Sequence, residues 1–168
     1  LTGADMAAWR ASREAPLAVD HQGWTAWKCG AWTQGPVLLQ ALQMLAGDDL
    51  AALDPAGEAF VHLVTETLKL AFADREAWYG DPDFTDVPAD VLLSDAYATE
   101  RRALIGDTAS LDLRPGSPQG RNPNIAAALA ADGDPGEIGH YWSLGEPTVT
   151  PMGEARGDTV HIDVIDRD

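Results

Sequence analysis

The run EAFVHLVTETLKLAFADREAWY, Glu58 to Tyr79, dictates more of the architecture than any other part of this 168-residue chain. Phe60, Leu63, Val64, Leu68, Ala71, Phe72 and Trp78 recur three and four residues apart, which places them on a wide apolar stripe of one long helix. Asp54-Pro55 starts this helix and Gly80-Asp81-Pro82 ends it. A stripe of that width must be covered by other elements. Glu66 and Lys69, one turn apart, read as a pair on the outer side, contributing roughly a few tenths of a kcal/mol.

The covering elements are written on both sides of it. In QGPVLLQALQMLAG, Val37, Leu38, Leu42 and Leu45 keep a helical period, Pro36 suits a first turn and Gly47 a stop. Short helices are expected over Ala89–Leu93 and from an N-cap at Ser94 through Tyr97, Arg101 and Leu104 to Gly106, and another over Thr2–Ser12 with Thr2 as N-cap. PLAVD and GWTAWKC alternate in period two around His21-Gln22-Gly23, the pattern of a hairpin with Trp24 and Trp27 on opposite faces. Trp24, Trp27 and Trp32 near Cys29 are expected to pack on the helices rather than to line a pocket.

A second strand signal closes the sequence. In RGDTVHIDVIDRD, Val160, Ile162 and Val164 point one way and Thr159, His161 and Asp163 the other. Helices with a hairpin and a terminal strand make the fold class α+β. Between Asp107 and Gly157 the texture changes to Gly, Pro, Ser, Asp and Asn, around one helix candidate at Ile125–Ala131. Loops of such length are usually functional or disordered, so this one is expected to be poorly ordered or to be where the protein is processed. The expected organisation is 1–106, hairpin and helical layer; 107–158, a flexible connection; and 159–168, a strand.

Composition excludes several function classes. A formal net charge of −16 repels phosphate backbones and anionic membrane surfaces, so neither nucleic acid nor membrane is an expected partner. Cys29 is alone, which rules out an internal disulfide and a cysteine zinc cluster. His21 and His62 have no ligand partners at metal spacing, and the acidic DGDPGE and DRD stretches lack a calcium-loop pattern, so neither a metal nor a cofactor is expected. The opening LTGADMAAWR reads like the interior of a longer protein, which leaves a periplasmic or secreted and a cytoplasmic location equally open.

Three segments together, GPVLLQALQML, LVTETLKLAFADREAWYGDPDFTDVPADVLLSDAYATERRALI and GDTVHIDVID, resemble the γ-glutamyltranspeptidase family of N-terminal nucleophile hydrolases. The likeness covers most of Leu1–Ile105 and then Asp158–Asp168; its long middle block is specific. Members of the family are made as one precursor that cuts itself in two, and their fold is a four-layer αββα sandwich. The resemblance implies that this chain runs from the C-terminal part of the large subunit to the first strand of the small one. Where the family reads Thr-Thr-His at the cut, this sequence reads Thr159-Val160-His161, keeping the first threonine, the nucleophile. Where the family has Ser-Gly-Gly before the helix, this one has KCGAWTQGPVLLQ.

The resemblance implies autocatalytic cleavage between Asp158 and Thr159: Thr159 Oγ attacks the Asp158 carbonyl, the acyl group shifts from nitrogen to oxygen, and water hydrolyses the ester. Gly157 gives the backbone room there. A threonine hydroxyl needs a base, and the freed α-amine of Thr159, with an ordinary pKa of about 7.7–8.0, can take its proton directly or through one water. His161 shares the strand face with Thr159 and is a candidate support. In turnover the same oxygen is implied to attack the γ-carbonyl of a glutamyl donor such as glutathione, and water or an amino acid resolves the ester.

The partners implied are therefore a γ-glutamyl donor, an amino-acid or water acceptor, and the remainder of the precursor. In the family the carboxylate-clamping arginine lies upstream of this stretch, and the amide, acidic and paired-serine groups lie downstream. The chain taken alone is accordingly expected not to turn over substrate. Two rivals remain: an acylase or amidase of the same superfamily, and a catalytically dead homologue kept for assembly.

Overall fold

A computed structural model describes residues Leu1–Ile125. Their element order is α1 (Gly3–Ala8), β1 (Leu17–His21), β2 (Trp24–Lys28), α2 (Gly35–Met44), α3 (Glu58–Trp78), α4 (Ala89–Leu92) and α5 (Asp95–Arg102), with single 3-10 turns at Leu50–Ala52 and Pro118–Gly120. The strand expected over 159–168 and all but the first residue of the Ile125–Ala131 helix candidate lie outside the described residues.

Local signals set most boundaries. Thr2 caps α1 through a reciprocal box: its hydroxyl accepts from the Asp5 amide at 3.2 Å, and Asp5 accepts from the Thr2 amide at 2.7 Å. The helix stops at Ala8, well before Ser12, because it buries no residue that would prolong it. The hairpin turns through two residues, Gln22 at φ 48° and Gly23 at φ 85°, so His21 faces Trp24 and Val19 faces Ala26. Two left-handed residues in succession match the twist of the paired strands. Ser94 caps α5, its hydroxyl accepting from the Tyr97 amide at 3.3 Å.

The core lies where α3 meets α2 and α5. Val37, Met44, Leu70, Ala71 and Ala98 form one cluster, and Ala77, Trp78, Leu92 and Tyr97 a second. Leu39 and Leu70 are wholly buried, each contributing about 1.5–3 kcal/mol relative to exposure. The hairpin packs on α2, where Val19 is its buried residue.

Several expectations are corrected here. Leu38 is exposed and Leu39 takes its place in the core. Phe72, expected on the covered stripe, is 40% exposed, whereas Glu66, Thr67 and Asp74 are buried. The covered face of α3 is thus wider than the one that hydrophobicity marks, because its neighbours bring polar and charged partners, Gln40, Arg101 and Arg114, as well as the apolar Val37, Met44 and Ala98. Glu66 is accordingly not on the outer side. Trp24, Trp27 and Trp32 are each more than half exposed instead of packing on the helices.

The described start of the Gly- and Pro-rich stretch bonds to the helices. Residues Ser110–Arg121, a strap, run along α3 and make hydrogen bonds to α3, α5 and the loop before α4.

Candidate functional site

Asp158, Thr159 and His161, the residues singled out for chemistry, lie outside the described residues. Within Leu1–Ile125 the polar groups that the fold concentrates are carried by one face of α3. Glu66 and Asp74 stand eight residues apart, two turns of helix, and both are buried.

Asp74 is fully saturated. Its Oδ1 accepts from the Gly116 amide at 2.7 Å and lies 3.2 Å from the Arg101 guanidinium, and its Oδ2 accepts from Gln40 at 2.9 Å and from the Tyr97 hydroxyl at 3.1 Å. Tyr79 in turn donates to Gln40 Oε1 at 2.5 Å. Burial raises the Asp74 carboxyl above its ordinary value, while Arg101, the Gly116 amide, Gln40 and Tyr97 draw it back. Burial, and then the Asp74 charge, push the phenols of Tyr79 and Tyr97 far up, so both remain hydrogen-bond donors. A carboxylate with four donors around it has no lone pair left for proton transfer. It holds structure together rather than acting as a base.

Glu66 accepts from Arg114 at 2.8 Å, from the Ser110 amide at 3.3 Å and from Lys69. The Lys69 bond lowers its carboxyl below the ordinary glutamate value, with the Ser110 amide and the charges of Lys69 and Arg114 adding to the effect against burial. Trp78 closes the row, donating from Nε1 to the Gly116 carbonyl at 3.1 Å, with the Arg121 guanidinium 5.2 Å above its ring. The burial of Glu66, Asp74 and Arg101 escaped the reading of the sequence, although a signal was present. Asp74 follows Leu63, Thr67 and Leu70 at helical spacing, and Arg101 follows Tyr97 and Ala98, so both charges fall on the covered faces.

The two histidines among the described residues meet backbone: His21 Nδ1 is 2.9 Å from the Leu42 carbonyl oxygen, and His62 Nε2 is 2.8 Å from that of Gly106. Cys29 is exposed. An open cleft of about 500 Å³ lies between the loop before α2 and the end of α3, bordered by Trp32, Thr33, Gln34, Arg75, Glu76 and Tyr79. Trp32 borders it; Trp24 and Trp27 do not. Among the described residues no group of three or more His, Cys, Asp or Glu could hold a metal ion, and no helix is long and apolar enough to cross a membrane.

Helices, hairpin and strap thus form a scaffold whose buried polar groups are all directed inward, so affiliation decides the chemistry. The Gamma-glutamyltranspeptidase family model matches residues 1–168. This chain belongs to that family. Among its relatives, Acylase ACY 1 proenzyme of Pseudomonas sp. (strain V22) is 38% identical over 100 residues, covering 60% of this chain and 18% of that protein. Glutathione hydrolase-like YwrD proenzyme of Bacillus subtilis (strain 168) is 31% identical over 131 residues, 77% of this chain and 24% of the relative. Among solved structures, LmbA is 53% identical with a TM-score of 0.68, over 76% of this chain and 21% of that one. A cephalosporin acylase from Bacillus halodurans is 35% identical with a TM-score of 0.65, over 70% of this chain and 22% of that one. This γ-glutamyltranspeptidase-family chain therefore spans less than a quarter of the length of each of these proteins. Its helices and two-stranded antiparallel sheet are of the α+β class.

Proposed function

We propose that the chain belongs to a precursor that cleaves itself between Asp158 and Thr159 and then transfers or hydrolyses an acyl group through an ester on Thr159. The observation that carries this reading is the reach of the family match, which extends through Thr159 to residue 168. The described residues form part of a helical layer of a four-layer αββα sandwich, and Thr159 opens the first strand of the small subunit. Cleavage turns the Thr159 amide into an amine beside its own hydroxyl, which supplies the base that threonine lacks. The groups that clamp a donor come from other parts of the precursor, so the 168 residues alone do not turn over substrate.

The donor is a γ-glutamyl compound such as glutathione, with water or an amino acid as acceptor, in line with relatives named glutathione hydrolase proenzymes. A second reading, an acylase acting on a different amide, is favoured by identity: the two Acylase ACY 1 relatives are 38% and 45% identical, against 26–31% for those named glutathione hydrolase or glutathione hydrolase-like. Intact mass of the complete polypeptide, followed by kcat/KM for a γ-glutamyl anilide and for a panel of acyl amides, decides between them. Two fragments parted before Thr159 and a preference for the γ-glutamyl anilide are expected. Preference for an acyl amide establishes the second reading, and a polypeptide that stays whole and inert is a dead homologue.

A further inference from the structure

We infer that Ser110–Arg121 is a fixed anchor for the large-subunit tail, docked before processing and still docked after the cut at Thr159. This rests on the cleavage proposed above. The strap bonds to residues that precede it: Glu66 and Lys69 at Ser110, Glu66, Arg101 and Leu104 at Arg114, Asp74 and Trp78 at Gly116, and Asp86 at Arg121. Breaking the peptide after Asp158 removes none of these partners. These partners of the strap are therefore present in both precursor and product.

The strap is also demanded by the helices beneath it. Without it, Glu66 loses Arg114, the Arg101 side chain loses the Arg114 carbonyl, and Asp74 loses the Gly116 amide, all at buried positions where an unpartnered polar group is costly. Gly116 is required by proximity rather than for flexibility: a Cβ there would lie 2.9 Å from Tyr97 Cζ and 3.1 Å from Arg101 Cδ. Gly116 therefore reports close packing of the strap against α5.

Amide hydrogen exchange on the complete polypeptide tests the anchor, comparing mature wild type with the uncut Thr159→Ala form. The expected result is equal protection of Ser110–Arg121 amides in the two, with Gly116→Ala speeding their exchange by at least about tenfold in both. Loss of strap protection on cleavage, or an unchanged strap in Gly116→Ala, overturns the anchor while leaving the cleavage reading standing. A wild type that remains uncut by intact mass overturns the cleavage reading, and with it persistence through processing.

Discussion

The Gly116 amide donates to Asp74 Oδ1 at 2.7 Å, joining the strap to the C-terminal part of α3 across 42 residues of chain. The same carboxylate faces Arg101, so one buried anion ties together α3, α5 and the strap, and through Gln40 it reaches α2 as well.

Asp74→Ala should therefore destabilise the protein by about 3–5 kcal/mol, since it leaves the Arg101 guanidinium buried without its counter-charge. Chemical denaturation of the complete polypeptide measures this. A loss below about 1 kcal/mol would show that Arg101 is compensated from elsewhere.

Ser94→Ala removes the only side-chain cap on the first turn of α5, the bond to the Tyr97 amide. The expected cost is about 1 kcal/mol, with Ser94→Asp or Ser94→Thr close to wild type. Equal stability of all three variants would mean that water serves the orphan amide equally well.

Asp48 accepts two bonds from Arg102, at 2.9 and 2.7 Å, and the first effect of that pairing is to lower its carboxyl below 3.8. A depressed folded value contributes stability above the unfolded pKa and loses it as pH falls through the folded one. Asp48→Asn should thus be less stable than wild type near neutrality, by about 0.5–1 kcal/mol for a partly exposed pair, and the gap should close below pH 3.8. Asp74, raised by burial and so opposite in sign, is common to both proteins and cancels in the difference. Thermal unfolding across pH reads the result, and a gap that widens in acid contradicts the assignment.

Thr159→Ala in the complete polypeptide should abolish both maturation and turnover, while Thr159→Ser, which keeps a hydroxyl, should retain both at reduced rate. Intact mass and a steady-state assay report the two separately. Maturation of the alanine variant at the wild-type rate would remove Thr159 from the chemistry.

What the sequence made legible is what short stretches decide. The Thr2 and Ser94 caps, the Gln22-Gly23 turn and the start of α3 at Glu58 each depend on a few neighbouring residues. The candidate nucleophile, Thr159, rests on a short string too, GDTVHIDVID, which carries the likeness and lies outside the described residues. The face of α3 was not. Hydrophobic spacing ranks residues by transfer from water, and on that scale Glu66 and Asp74 belong outside.

By itself, then, the sequence determined where α1, α5 and the hairpin turn begin, since caps and positive-φ turns are settled by bonds within about four residues. It also determined the family. Only the tertiary structure decided which charges are buried and that Ser110–Arg121 is bound, because Arg114 reaches Glu66 across 48 residues and Gly116 reaches Asp74 across 42. A carboxylate is tolerated in a core only when its partners arrive from elsewhere, and local sequence carries no record of what folds on top of it.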